Sequence, residues 1–116
     1  MSKSIIADKS YAFAIRIVKL FKYLKNEHNE YVLSKQLLRS GTAIGALVRE
    51  AEFAQSKADF INKLSIGLKE ANETDYWINL LYDTEYITQA MHQDIQKDVK
   101  ELIKLLVAIV KSSKEC

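Results

Sequence analysis

The sequence contains no proline, only three glycines and a single cysteine in 116 residues. Turns in β-sandwiches and barrels recur at short intervals and draw on glycine and proline, so an all-β architecture is excluded. The lone Cys116 cannot form an internal disulfide, which rules out a cross-linked secreted scaffold and fits a reducing, cytoplasmic setting. Long apolar runs are missing as well. The longest late one, Leu105–Val110, falls far short of the roughly 20 residues that span a bilayer, so no membrane partner is expected. Arg16 interrupts the apolar stretch from Tyr11 to Val18 and no small-residue cleavage site follows, so no secretory leader is expected.

What is present is helix-forming. Hydrophobic residues make up 48% of the chain and charged residues 28%, and a length of 116 residues suits one core, hence a single domain over 1–116. Apolar or small residues recur at steps of three and four in four segments. The first stripe is Ile6, Ser10, Phe13, Ile17, Leu20 and Leu24, with Asp8 or Ser10 as candidate N-cap and the polar run 26–30 as its end. The second is Leu33, Leu37, Ser40, Ile44, Leu47, Ala51 and Ala54, with Gly41 and Gly45 inside it. A break at Gly41 is one reading; the stripe keeps phase across both glycines, which favours a continuous helix whose small face admits another backbone. Ser56-Lys-Ala-Asp59 is a loose capping box opening the third stripe of Phe60, Leu64, Gly67, Ala71, Thr74, Ile78 and Leu81. The fourth begins near Thr88 and carries Ile95, Val99, Leu102, Leu106 and Ile109. Short connectors make successive helices antiparallel, so the expected fold is all-α, an up-down-up-down four-helix bundle.

Residues off these stripes carry the functional signal. Leu38, Phe53, one of the adjacent pair Tyr76 and Trp77, and the nearly continuous apolar run Leu102–Val110 exceed what a single core face requires, which points to a homo-oligomer. Charge is close to balanced overall at +2 but unevenly placed. Residues 1–40 hold eight basic and three acidic side chains, residues 50–94 three basic and nine acidic. Between Lys9 and Lys25 the first helix carries Lys9, Arg16, Lys19, Lys22 and Lys25 with no carboxylate, on the side opposite its apolar stripe. Two readings stand: a solvated face that pairs with the acidic third helix of the same or a neighbouring subunit, or a surface that contacts RNA phosphates with little sequence preference.

Catalytic constellations are missing. The two histidines, His28 in a connector and His92 at a helix start, have no metal-ligand spacing around them, and the Glu-x-x-His pairs of di-iron bundles do not occur. No phosphate loop, dinucleotide fingerprint or nucleophile elbow is present. Glu50, Glu70, Glu73 and Asp75 read as partners of Arg39, Arg49, Lys63 and Lys69 around the interhelical rim rather than as general acid and base. No catalytic residue, metal or cofactor is expected, and the chain is read as a non-enzyme.

The segments Gln36–Ala51, Ser56–Leu64 and Leu68–Trp77 closely resemble the four-helix bundle family encoded in intervening sequences of bacterial 23S rRNA genes. The first and fourth helices agree with it in pattern only. The resemblance implies a ring-shaped homopentamer and kinship with the accessory variability proteins of diversity-generating retroelements, basic barrels that bind nucleic acid and a reverse transcriptase. The matching Arg39, Arg49, Glu50, Lys69, Glu70, Thr74 and Trp77 are expected to form an interhelical and intersubunit polar network. Where the family has Ser-Ile-Gly-Ala-Asn, this chain has Ala43-Ile-Gly-Ala-Leu47, which removes two polar groups and adds Leu47 to the seam. The expected function is non-enzymatic nucleic-acid binding through Lys9, Arg16, Lys19, Lys22 and Lys25, with Arg39 second. The alternative is a scaffold that docks a polymerase or reverse transcriptase without touching nucleic acid.

Overall fold

The structure, a computed structural model, describes residues 4–115; Cys116 lies outside the described residues. Four helices follow one another: α1 (Ile5–His28), α2 (Leu33–Glu52), α3 (Lys57–Asp83) and α4 (Gln89–Glu115). Cross-helix contacts fix their directions. Ile17 and Ser10 of α1 meet Gly41 and Gly45 of α2 in reverse order, and Arg39 and Glu50 of α2 reach back to Glu70 and Lys63 of α3. Likewise Asp75 and Asn79 of α3 meet Lys100 and His92 of α4, while Lys9 and Arg16 of α1 meet Glu101 and Asp94 of α4. Every neighbour is therefore antiparallel, and the result is an all-α up-down-up-down four-helix bundle of 46 × 24 × 20 Å.

The core is made by the stripes. Phe13, Ile17, Leu24, Leu37, Ile44, Leu64, Ile78, Leu81, Leu102 and Leu106 are its largest fully buried apolar side chains. Five stripe residues, Leu33, Leu47, Ala54, Phe60 and Ile109, are only partly buried, and Ser34 rather than Leu33 is buried at the start of α2. Further along α2 Val48, not Leu47, is the buried residue, and Val110, not Ile109, in α4. A straight helix advances 100° per residue and drifts against a 4, 3 alternation, so the inward face moves by one residue near the end of the stripe. Leu47 instead lies at the α2–α3 seam, against Gly67.

Helix α2 runs unbroken through both glycines. A Cβ on Gly41 would sit 2.8 and 2.9 Å from Cγ1 and Cγ2 of the fully buried Ile17, and one on Gly45 would sit 3.3 Å from the Ser10 carbonyl oxygen. The glycines thus set how near α1 approaches. Gly41→Ala gains helix propensity of about 1 kcal/mol but overpacks a β-branched neighbour at a cost of about 1–3 kcal/mol. Thermal denaturation is expected to show a lower Tm for Gly41→Ala, and adding Ile17→Val, which keeps both crowded Cγ atoms, should not restore it; an unchanged Tm for Gly41→Ala would mean that α1 moves away freely.

The helix starts are capped by different means. Ser4 accepts from the Ala7 N–H, where Asp8 or Ser10 was expected to cap. Ser56 accepts from the Asp59 N–H and Thr88 from the Met91 N–H, as the sequence indicates. Helix α2 has no side-chain cap at Val32. Glu30 replaces it from outside the helix: its carboxylate accepts the N–H groups of Val32, Leu33 and Ser34 at 3.0, 3.0 and 2.7 Å, and its carbonyl accepts the Ser34 hydroxyl at 2.7 Å. The preceding Asn29, at φ 52°, takes the left-handed conformation that closes α1 and aims Glu30 inward.

Only 8% of Glu30 remains exposed. Burial disfavours its charge, but the three amide donors outweigh that and hold the pKa below the ordinary glutamate value. Its stabilisation is present in full above the unfolded-chain value of about 4.3 and is lost as pH falls through the lower folded-state value. Glu30→Ala strands three amides and is expected to cost about 2 kcal/mol at pH 7. Urea melts of the two proteins should converge as the pH drops below about 4; a constant difference would disprove the charged cap.

Candidate nucleic-acid interface

The basic residues of α1 do not form one face. Stepping by three and four, the outward stripe of α1 is Tyr11, Ile15, Val18, Lys22 and Lys25. Its first half is apolar: Tyr11 is 63% exposed and Ile15 44%. Lys9 and Arg16 lie to one side, toward α4 rather than α3, which the sequence had named as the acidic partner. Lys9 pairs with Glu101 at 3.2 Å; Arg16 pairs with Asp94 at 2.6 Å and with Asp98. Partial burial opposes the Arg16 charge, but the hydrogen bonds it donates to both aspartates prevail and raise its pKa above the ordinary arginine value. These pairs bridge α1 and α4, the least closely packed of the four seams.

Lys19, Lys22 and Lys25 are different. No ion pair joins them to a carboxylate among the described residues, and all three are exposed. Of the six basic residues proposed from sequence, the structure therefore brings these three together as available cations at the C-terminal half of α1. It commits Lys9, Arg16 and Arg39 to neighbours.

Arg39 belongs to the α2–α3 seam. It bonds Glu70 at 3.2 Å and Glu73, and Glu73 also accepts the Trp77 indole N–H at 3.0 Å. The indole hydrogen bond, followed by that from Arg39 and the charge of Lys69, lowers the Glu73 pKa. The same bond to Glu73, with Glu70 nearby, raises the Arg39 pKa. Beneath them the Thr74 hydroxyl meets that of Ser40 at 2.9 Å, both fully buried. Within the chain, Arg39, Glu70 and Trp77 thus meet around Glu73, Thr74 bonds Ser40 and the Glu70 carbonyl below them, and Lys69 contributes only its charge. Glu50 stands apart, pairing with Lys63 at 3.4 Å, and Arg49 lines a groove between α1 and α2 instead. Glu73, read from sequence as a rim partner of the arginines and lysines but absent from the family-matching set, is the centre of the cluster, at i, i+4 spacing to both Lys69 and Trp77.

That α1–α2 groove encloses about 370 Å³ and is lined by Tyr11, Ile15, Gly45, Val48, Arg49 and Glu52, among others. No group of three or more His, Cys, Asp or Glu side chains able to hold a metal occurs among the described residues, and none of their helices is long and apolar enough to cross a membrane.

Fold and seams define a class: an antiparallel four-helix bundle whose polar pairs clasp the α1–α4 and α2–α3 edges. The family described as 23S rRNA-intervening sequence protein matches residues 2–108. The chain belongs to that family. A 1.70 Å crystal structure of a protein with unknown function from the S23 ribosomal protein family of Bacteroides thetaiotaomicron VPI-5482 is 61% identical, with a TM-score of 0.91 over 92% of this chain and 99% of that one. No functionally curated protein matches.

Trp77 is the only tryptophan, so its emission reports on Glu73. Glu73→Gln is expected to shift that emission while costing less than about 1 kcal/mol, since Arg39 and Glu73 are solvent-accessible. In the wild type the same shift should appear only below about pH 4.3, because the Glu73 pKa is lowered. Emission that is flat to lower pH and indifferent to the substitution would place Trp77 elsewhere.

Proposed function

We propose that the protein is a non-catalytic, oligomeric RNA-binding bundle, in which Lys19, Lys22 and Lys25 of each subunit contact phosphates. The observation that carries this reading is their lack of intramolecular partners, in a molecule whose other α1 cations are matched by carboxylates. Backbone contact of this kind gives affinity that depends on salt and little preference for sequence.

Assembly supplies the repetition that makes three lysines effective. The half-apolar outer stripe of α1 and the α1–α2 groove beside it fit a second copy of the chain. Tyr11 and Ile15 would be covered, and Arg49, which has no ion pair among the described residues, would meet carboxylates such as Asp8 or Glu52 on the groove's rim. Val107 on α4, 47% exposed, adds apolar surface. A closed ring leaves no copy of such a groove open, and a ring of five is what the family resemblance implies.

Light scattering is expected to give a multiple of 13.3 kDa, and gel-shift assays to show retention of RNA. The triple variant Lys19→Glu/Lys22→Glu/Lys25→Glu should lose retention with helicity and oligomer mass intact. Three phosphate contacts imply a fall of roughly twentyfold in affinity per subunit between 50 and 200 mM salt. Affinity unmoved by salt would favour apolar docking of a protein, and a particle of 13.3 kDa would remove the ring.

A further inference from the structure

Nothing in the sequence set an aromatic platform beside the basic stretch of α1, but the fold does. Tyr23 of α1 and Tyr86 of the α3–α4 connector both meet His28 at the last turn of α1. The Tyr23 and His28 ring centres are 5.3 Å apart at 68°, those of His28 and Tyr86 5.8 Å apart at 88°. His28 Nε2 is 3.1 Å from the Tyr23 hydroxyl, which steadies the ring. Edge contacts of this kind fix the imidazole between two half-buried tyrosines without a parallel stack, and His28 itself is exposed to solvent. The other aromatic histidine pair is unlike it. His92 already stacks on Tyr82 at 4.4 Å and 23°, and its Nε2 bonds Asn79 at 2.8 Å.

Tyr23 also lines a cleft of about 320 Å³ in the α1–α4 seam, shared with Lys19, Arg16, Met91 and Asp94. Arg16 is shared between Asp94, at 2.6 Å, and Asp98, so it offsets only part of their charge, and the cation at the cleft without an ion pair among the described residues is Lys19. Lys22, one turn on from Lys19 and also exposed, extends the positive surface outward from the cleft, whereas Lys25 lies about 160° round α1 from Tyr23. An exposed ring held in place beside unpaired cations suits single-stranded nucleic acid, since each base has a π-face and each linkage a phosphate.

The geometry points to a binding site for an unpaired nucleotide at the α1–α4 seam, its base stacked against the Tyr23, His28 and Tyr86 cluster and its phosphates on Lys19 and Lys22. The site rests on the phosphate-binding reading above and adds to it a demand for unpaired bases. A duplex, whose bases are already stacked, would be held by the lysines alone.

The test uses the full chain and an oligonucleotide of about ten residues with one central 2-aminopurine, whose fluorescence falls on stacking, in RNA and DNA forms. Emission is expected to drop when the single strand binds and to stay constant when the probe base is paired in a duplex. Quenching of both forms assigns the site to unpaired nucleotides generally, and quenching of the RNA form alone to RNA. His28→Ala, at an exposed position, and Tyr23→Leu/Tyr86→Leu, which keeps apolar packing, should each weaken single-strand binding roughly tenfold and leave duplex retention unchanged. Equal affinity for single strand and duplex in the wild type, or unaltered quenching in His28→Ala, overturns the stacking site while the lysine surface stands. Absence of any nucleic-acid binding overturns both.

Discussion

The rotation of α1 about its own axis is the constraint on which the rest of the molecule depends. Ile17 faces Gly41 and Ser10 faces Gly45 at distances that a Cβ on either glycine would crowd. Once that contact and the stripe from Ile6 to Leu24 are buried, the direction of every other α1 side chain follows from 100° per residue. Lys9 and Arg16 are turned to the α4 edge, Tyr11 and Ile15 outward, and Lys19, Lys22 and Lys25 to open solvent. Charge sits where packing leaves it room.

The bundle was legible in the sequence because periodicity is a local property. Buried α1 residues agree with the stripe one for one, and Ser40 and Thr74, polar residues at apolar positions, are fully buried as their spacing requires. The interface was legible only in part. Which lysine is paired depends on a carboxylate about eighty positions away, as with Arg16 and Asp98, and no local pattern carries that. The aromatic cluster is likewise non-local, joining Tyr23 to Tyr86 through His28. Glu30 was hidden for another reason. It lies in a polar run that reads as a helix stop, and its role comes from the left-handed turn at Asn29, which directs it back toward the amides of α2.

Polar chemistry in this molecule divides by depth. Buried polar groups are all satisfied among the described residues, as with Glu30, Ser34, Ser40 and Thr74, and they fix register. Half-exposed pairs such as Lys9 with Glu101 or Arg39 with Glu70 contribute little stability each but orient neighbours, Glu73 holding the Trp77 indole among them. The fully exposed cations satisfy nothing within the chain. That gradation is why family membership and a shared bundle, clear from the match over residues 2–108, establish architecture ahead of activity.

The unequal seams have a mechanical consequence. The helices at the loosest edge, α1 and α4, are also the first and last of the chain, so no covalent connector crosses between them. Parting there leaves the α2–α3 hairpin, with its close packing and Arg39 clasp, undisturbed. The molecule is thus a book with its spine along α2 and α3, and slow amide exchange should persist longest in that spine.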